Sequence, residues 1–415
     1  MVPPDLKRQL QRLPMRFGII YYGTEAKNRG LDQLAQSLIA IGHKPYIVTR
    51  KPKSGEAISE FNGVPVIQIP AKRKHFHTPL STPLPFNPIW KAGIISLAEK
   101  YKWDGIFIRE TPLSWLGIKA GWILGIPVFL DIRENLGAAY ESNKTKKSVL
   151  KRIRKRCFVR LYEKFVLPKF AHIFSTTKEL EKWIENDYGI GNEKLSVLGN
   201  YPSKIFLEQA ERAFANKDRS KEDSALRLVH AGYVLENRGL QDVILALRIL
   251  REKGYNFVFR IIGEGPYLDK LMRLAQETGT EANIEFIPML PPDEVAGALA
   301  ECDIGVCSYL LNEHTHQTLP GKLFEYMAVG LPVISSARKP VVRILEKTGC
   351  GVSYSSRRPA EIAKVLLNFS NDKEKRFNMG SRGREAILKS YNWKVNLTIL
   401  DTILNRYERN HRRYL

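Results

Sequence analysis

The sequence LPGKLFEYMAVGLPVIS, residues 319–335, decides the fold class of this chain. Pro320 and Gly321 precede a helical run, and a turn at residues 330–332 leads from that helix into an apolar strand. A turn, a short helix and a buried strand in this order form one step of a doubly wound α/β sheet. The stretch therefore predicts an α/β protein built on parallel sheets.

The amino end of this helix is a predicted phosphate site. The first backbone N–H groups of a helix have no intrahelical partner, and the helix dipole adds partial positive charge there. Lys322 adds a cation, and Glu325, one turn further along the same face, suits the hydroxyl groups of a ribose. Thr318 and Leu319 lie directly before the helix, and we include them in the site. The alternative is a helix that only packs on the sheet, with Lys322 and Glu325 as a solvated pair.

Strand and helix patterns alternate in both halves of the 415 residues, which is long enough for two domains. We predict a Rossmann-like domain over residues 1–200, a polar linker over 201–225 and a second Rossmann-like domain over 226–390. Residues 391–415 read as a final helix that packs back toward the first domain. The start of the chain shows no apolar run typical of a signal peptide, which favours a cytoplasmic protein.

The run EYMAVGLPV, from Glu325 to Val333, resembles the donor-binding segment of GT-B glycosyltransferases, specifically the retaining glycosyltransferase family 4. In that family a Glu-x7-Glu signature ends at the position of Glu325. The first Glu of the signature falls on Gln317, so the resemblance implies that Gln317 contacts the donor sugar, or that Glu313 supplies the missing carboxylate. His314 and His316 lie in the same loop, where they either reach the donor or are solvated.

Two further loops of this half resemble the same family. The loop GYVLENRG offers Gly232 and Arg238 to the donor diphosphate, although Tyr233 stands where the family has an Arg. The resemblance assigns three more positions to the nucleotide: Gly263, Gly265 and Met289. It also implies two domains facing each other across a cleft, a nucleoside-diphosphate sugar as donor, and no cofactor or metal ion. We favour a UDP-sugar over a GDP-sugar.

Charged residues follow two predicted strands of the first half, where ligands of open α/β sheets gather. A carboxylate there accepts a hydrogen bond from an acceptor hydroxyl, and an arginine grips a phosphate with two hydrogen bonds. We therefore propose Asp131 as a candidate catalytic residue. The candidates for the acceptor side are Gly30, Arg109, Arg133 and Glu134. The alternative is a structural cluster of ion pairs.

The net charge of +22 implies an anionic partner, and much of it is concentrated in residues 144–164, with ten Lys or Arg and one Glu. Apolar residues recur there at helical spacing at Leu150, Ile153, Cys157, Leu161 and Phe165. Such a helix either lies on an anionic membrane or packs its apolar stripe on its own domain. The residues that we predict to contact the membrane are Lys151, Arg152, Arg154, Lys155, Arg156 and Arg160. No zinc-finger spacing, helix-turn-helix or RNP-type aromatic pattern indicates nucleic acid.

Together these features predict a retaining hexosyl- or N-acetylhexosaminyltransferase that is peripherally attached to the cytoplasmic face of a membrane. Its acceptor is predicted to be lipid-linked or a growing polysaccharide. Two alternatives remain open: a nucleotide-sugar epimerase of the same fold, and an inactive nucleotide-sugar-binding relative, which the residues Gln317 and Tyr233 suggest.

Overall fold

Two sheets organise the computed structural model, which describes residues 14–24, 28–51, 59–69, 86–138, 149–217 and 225–411. The chain divides into two units, and each is described by itself. The first unit joins Met1–Gly199 with Lys394–Leu415, and the second is Asn200–Trp393.

The first unit contains an eight-stranded sheet with the strand order β3-β4-β2-β1-β5-β6-β7-β8. Every pair is parallel except the hairpin of β3 and β4 at one edge. The strands are β1 (Arg16–Tyr21), β2 (Lys44–Arg50), β3 (Glu60–Phe61), β4 (Val64–Ile69), β5 (Gly105–Arg109), β6 (Val128–Ile132), β7 (His172–Ser175) and β8 (Leu195–Val197). The helices between them are α1 (Arg29–Ala40), α2 (Pro88–Tyr101), α3 (Ser114–Leu124), α4 (Val149–Val166) and α5 (Lys178–Tyr188).

The second unit contains a six-stranded, wholly parallel sheet with the order β11-β10-β9-β12-β13-β14. Its strands are β9 (Leu226–Ala231), β10 (Phe257–Ile262), β11 (Ile284–Ile287), β12 (Ile304–Cys307), β13 (Val333–Ser336) and β14 (Gly351–Tyr354). Its helices are α6 (Lys204–Ala215), α7 (Leu240–Glu252), α8 (Leu268–Glu277), α9 (Val295–Ala300), α10 (Gly321–Ala328), α11 (Lys339–Thr348), α12 (Pro359–Ser370) and α13 (Lys373–Ser390).

The central strands of both sheets are continuous apolar runs, because helices cover both faces of a parallel sheet. In β1, Phe17 and Ile19 face one core and Ile20 faces another, and all three are fully buried. Each sheet reverses its strand order beside its first strand, between β1 and β5 in one unit and between β9 and β12 in the other. Such a reversal opens a crevice at the carboxyl ends of the strands, where α/β proteins bind ligands. The prediction of two Rossmann-like domains is confirmed.

The boundaries differ from our expectation in one place. The predicted linker, residues 201–225, includes α6, whose Phe206 and Ala210 are buried in the core of the second unit. The last helix, α14 (Trp393–His411), belongs to the first unit: Leu400 and Leu404 are buried in the same cluster as Phe17.

Candidate functional site

The amino end of α10 lies over the crevice between β9 and β12. The phenol of Tyr326, on the buried face of the helix, accepts a hydrogen bond from the backbone N–H of Ala231 at 3.0 Å and donates one to the carbonyl of Val306 at 3.4 Å. Tyr326 therefore joins the carboxyl ends of β9 and β12 where their pairing stops. This contact fixes the helix that sequence motifs predicted to hold a phosphate.

Lys322 points into this crevice, and its Nζ lies 3.0 Å from Nε2 of His230, near the end of β9. His230 is fully buried, and burial together with the charges of Lys322 and Arg238 holds the pKa of His230 well below its usual value. The imidazole is therefore neutral and accepts a hydrogen bond from the ammonium group. Burial also lowers the pKa of Lys322 to about 7, and Arg238 adds to this effect. A bound anion would therefore stabilise the charged form of Lys322.

The predicted loop residues lie beside Lys322. A Cβ atom on Gly232 would lie 3.4 Å from Nζ of Lys322, and Gly232 has a φ of 124°, which favours glycine. Arg238 packs its guanidinium 4.6 Å from the ring centroid of Tyr309, and Lys322 lies 6.0 Å from the same ring. Glu325 is buried one turn along α10 and favours the charged form of Lys322. The structure therefore brings Gly232, Arg238, Lys322 and Glu325 together.

Gly263 and Gly265 have a structural reason to be glycine. A Cβ atom on Gly263 would lie 2.2 Å from the carbonyl oxygen of Gly232, and one on Gly265 would lie 2.1 Å from that of Val234. The loops after β9 and β10 thus pack backbone against backbone, and the N–H of Val234 donates to the carbonyl of Glu264 at 2.7 Å. Met289, beyond the end of β11, is half exposed. The roles of these three residues in nucleotide binding stay predictions.

The loop before α10 holds the remaining donor-side candidates. Asn312 and Thr315 exchange backbone and side-chain hydrogen bonds of 2.8 Å, which close a turn ahead of Gln317. Gln317 and Thr318 are partly buried. Leu319 is buried, and its carbonyl accepts a hydrogen bond from the side chain of Asn200 at 3.3 Å. Within the described ranges no group of three or more His, Cys, Asp or Glu is arranged to hold a metal ion.

Sequence reasoning missed three residues of this site: His230, Tyr309 and Arg338. Each lies at or just beyond the carboxyl end of a buried strand: β9, β12 and β13. A polar side chain at such a position was the available signal. The sequence did not reveal that these three strands are neighbours in the sheet.

In the first unit, Asp131 at the end of β6 is held between two arginines. Its Oδ2 accepts a hydrogen bond from Nη1 of Arg109 at 2.7 Å, and its Oδ1 lies 2.8 Å from Nε of Arg133. The Asp131 side chain is only 1% exposed. A carboxylate engaged at both oxygens and shielded from solvent is a structural ion pair, so the geometry speaks against Asp131 as a catalytic base. The structural alternative describes this cluster.

Two acceptor-side candidates meet across the crevice of the first sheet. A Cβ atom on Gly30, in the first turn of α1, would lie 2.1 Å from Nη2 of Arg109, so Gly30 provides the space for that guanidinium. Next to them, Glu110 is buried with a φ of 65°, an unusual backbone conformation for a residue other than glycine. Burial raises the pKa of Glu110 to about 8, with Glu134 and Asp131 adding to the increase against the charge of Arg109. Glu110 therefore carries a proton at neutral pH.

Helices α3 and α4 form an exposed surface in which aromatic, aliphatic and basic side chains are mixed. Trp115 contacts Trp122 at 5.5 Å and Phe165 at 4.9 Å between ring centroids, which joins the two helices. Five large apolar side chains of this α3–α4 surface are between 46% and 69% exposed: Trp122, Ile123, Phe158, Leu161 and Phe165.

In the described residues the predicted apolar stripe of α4 is largely exposed at Leu161 and Phe165, although Phe165 also contacts Trp115 of the same unit. The membrane role of this stripe stays a prediction. The side of α4 that faces the domain instead carries Glu163, which accepts hydrogen bonds from Tyr188 at 2.6 Å and Thr111 at 3.2 Å. Arg160 is exposed and Arg156 partly so. The side chains of Lys151, Arg152, Arg154 and Lys155 lie outside the described part of the structure.

The helices of the described ranges include none that is both long enough and apolar enough to cross a membrane.

Comparisons with known proteins bear on both units. The family model "Glycosyl transferases group 1" matches residues 211–386, and the model "Glycosyl transferase 4-like domain" matches residues 28–201. The chain is 26% identical over 204 residues to the putative colanic acid biosynthesis glycosyltransferase WcaL of Salmonella typhimurium, covering 48% of this chain and 50% of that protein. It is 27% identical over 221 residues to the amylovoran biosynthesis glycosyltransferase AmsK of Erwinia amylovora, covering 52% of each. The chain thus spans about half the length of these curated relatives.

Among solved structures, HepE of Anabaena in complex with UDP superimposes with a TM-score of 0.69 at 12% identity, covering 95% of this chain and 100% of that one. This likeness shows the fold. The two family models match consecutive halves of the chain, on the two units that carry the two sheets. The chain therefore belongs to the GT-B glycosyltransferases of the family 4 type.

Proposed function

We propose that this protein transfers a sugar from a nucleoside-diphosphate sugar to a glycan or lipid-linked acceptor, with retention of the anomeric configuration. One observation carries the proposal: Lys322, Arg238 and the amino end of α10 converge at the switch point between β9 and β12. A helix amino end with two cations in a buried crevice is suited to a diphosphate. The neighbour HepE, solved with UDP, supports a UDP-sugar as donor.

In this proposal the second unit supplies the electrostatic part of catalysis. Negative charge develops on the diphosphate as the bond to the sugar breaks, and the partly buried cations Lys322 and Arg238 stabilise it, because charges interact more strongly there than in bulk water. His230 holds the ammonium group of Lys322 in place. Glu325 favours the charged form of Lys322, and we assign it to the ribose hydroxyls. We assign no protein base to the acceptor.

The test is a panel of UDP-, GDP- and dTDP-sugars, with products identified by mass spectrometry and the anomer by NMR. Transfer with retained configuration supports the proposal. Interconversion of free nucleotide sugars would instead indicate an epimerase, and binding without turnover an inactive relative. Lys322→Met should abolish turnover, whereas Lys253→Met, which removes an exposed lysine beyond α7, should leave it unchanged.

We further propose that the α3–α4 surface rests on an anionic membrane, where a lipid-linked acceptor would be presented. Aromatic and aliphatic side chains such as Trp122 and Leu161 favour the lipid interface, and the surrounding lysines and arginines favour anionic headgroups, at about 1 kcal/mol for each basic residue. The names of the relatives WcaL and AmsK, in colanic acid and amylovoran biosynthesis, support a polysaccharide pathway.

Co-sedimentation with vesicles tests this surface. Wild-type protein should sediment with vesicles containing phosphatidylglycerol and not with pure phosphatidylcholine. The double variant Trp122→Ser/Ile123→Ser should weaken the association, as should glutamate at Arg152, Arg154, Lys155 and Arg156. Ile205→Ser removes an equally exposed side chain from α6 and should have no effect. Equal sedimentation of all variants would reject a membrane role for this surface.

A further inference from the structure

Arg338 is a fully buried arginine with an incomplete set of partners. It lies two residues beyond β13 and directly precedes α11, and its exposed fraction is 0%. Its guanidinium carbon lies 3.9 Å from the ring centroid of Tyr309, and its Nη2 lies 3.5 Å from Sγ of Cys307. Its Nε has no hydrogen-bond partner. Among the described residues, no carboxylate forms an ion pair with it.

A buried guanidinium in this state needs a counter-charge. An aromatic ring and a thiol attract a cation, but they do not replace the hydration that it lost on burial. Arg238 and Lys322 approach the same Tyr309 ring, so three cations converge on one side chain. Arg238 and Lys322 already serve the diphosphate in the function proposed above. The third cation, Arg338, is left to bind a separate negative charge.

The position of Arg338 indicates which part of the donor carries that charge. Strands β9, β12 and β13 are consecutive neighbours in the sheet, with about 5 Å between adjacent strands. The diphosphate cations gather at β9 and β12, and Arg338 lies one strand further, on the side away from the loops after β10 and β11 that we assign to the nucleotide. The sugar follows the diphosphate in the donor, so Arg338 lies toward the sugar.

The loop before α10 also suits a negatively charged sugar. Burial lowers the pKa of His316, and the nearby charges of Lys339 and Arg338 add to this decrease. Gln317 stands at the position where the family signature has a glutamate. A glutamate there suits the hydroxyl groups of a neutral sugar, but it would repel a sugar that is itself an anion. A neutral amide and a buried arginine suit a carboxylate.

We propose that the donor is a nucleoside-diphosphate uronic acid, whose sugar carboxylate is bound by Arg338 beside Gln317. This inference rests on the proposed function, because it concerns the sugar of the same donor. The carboxylate would accept hydrogen bonds from the guanidinium, which completes the partners of Arg338 when the donor is bound.

The experiment compares UDP-glucuronic acid and UDP-galacturonic acid with UDP-glucose and UDP-galactose on the wild-type protein, by calorimetry for binding and by mass spectrometry for turnover. At least one uronate should bind about tenfold or more tightly than its neutral counterpart, because a carboxylate paired with a buried arginine is a charge-assisted contact. Tighter binding and faster transfer of a neutral sugar would overturn this inference and leave the proposed function intact. Binding of none of the four would overturn this inference together with the UDP-sugar donor favoured above.

Variants add a second measurement. Arg338→Met should remove the preference for the uronate while UDP alone binds as before, and Gln317→Glu should shift the preference toward the neutral sugar. Arg358→Met removes an exposed arginine from the start of α12 and should change neither. If Arg338→Met does not fold, the donor comparison on wild-type protein decides the question alone. A uronate preference that survives in a folded Arg338→Met protein would overturn the assignment of Arg338.

Discussion

Donor binding should take up protons, because Lys322 is only partly charged in the free protein. Its pKa of about 7 leaves it about half protonated at pH 7. A diphosphate beside the ammonium group raises this pKa, since opposite charges favour the ionised form. Binding should therefore be accompanied by the uptake of about 0.5 proton at pH 7 and about 0.9 proton at pH 8.

The sign of the pH dependence follows from the same linkage. The bound-state pKa is above the free-state pKa, so the affinity is full below pH 7 and falls as the pH rises through that value. Between pH 6 and pH 8 the dissociation constant should increase about tenfold. His230 does not contribute in this range, because its pKa is held well below its usual value.

The assay is calorimetric titration with an intact UDP-sugar, in buffers that differ in their enthalpy of ionisation. Each phosphate of a UDP-sugar carries one ester and one anhydride bond, so neither titrates between pH 6 and pH 8, whereas the terminal phosphate of UDP does and makes UDP unsuitable. Lys322→Met should abolish the proton uptake and weaken binding, and Lys253→Met should retain both. Uptake near zero at pH 8 in wild-type protein, or full uptake in Lys322→Met, would refute the reasoning.

Three further predictions concern backbone and charge. Gly263→Ala places a Cβ atom 2.2 Å from the carbonyl oxygen of Gly232, at a residue with a φ of 143°. Urea denaturation should show a decrease of about 2–3 kcal/mol in the free energy of unfolding. An unchanged denaturation midpoint would contradict this prediction. Asp131→Asn leaves Arg109 without its buried carboxylate and should lower the free energy of unfolding by about 3–5 kcal/mol, in contrast to a mild effect if Asp131 acted only on the acceptor. The raised pKa of Glu110 makes its contribution to stability fall as the pH rises from 4.5 through about 8. Glu110→Gln mimics the protonated acid, so its melting temperature relative to wild type should increase over this pH range, whereas a constant difference would rule this out.

The sequence predicted the donor half well because its elements follow local rules. A proline and a glycine before a helical run predicted a helix that starts at Lys322, and α10 begins one residue earlier, at Gly321. The motif resemblance selected Lys322 and Arg238 as partners. The partners Tyr309 and Arg338 escaped prediction because their contact depends on β12 and β13 being neighbours in the sheet. Strand order is a property of the whole domain and is not encoded in any single segment.

Hydrophobicity along the chain does not report burial reliably in two places. The polar composition of residues 201–225 concealed α6, which needs only a narrow stripe, including Phe206 and Ala210, to pack on the second unit. In α3, Trp122 and Ile123 are apolar, yet both are exposed. An apolar residue can face either a core or a partner, and the pattern along the chain does not distinguish the two.

The cations of the candidate donor site and the basic side chains of the α3–α4 surface differ in their exposure to water. Arg338 is fully buried and Lys322 is partly buried, so dissolved salt screens them less than exposed charges and a bound anion gains strongly from them. The basic side chains of the α3–α4 surface, such as the exposed Arg160, are screened within about a nanometre at physiological ionic strength. Lys322 and Arg338 therefore select a bound anion by its geometry. The basic side chains of the α3–α4 surface only favour a negatively charged surface over a neutral one. This difference matches a site for one substrate and a surface for many lipids, and it explains why a large net charge alone does not identify either partner.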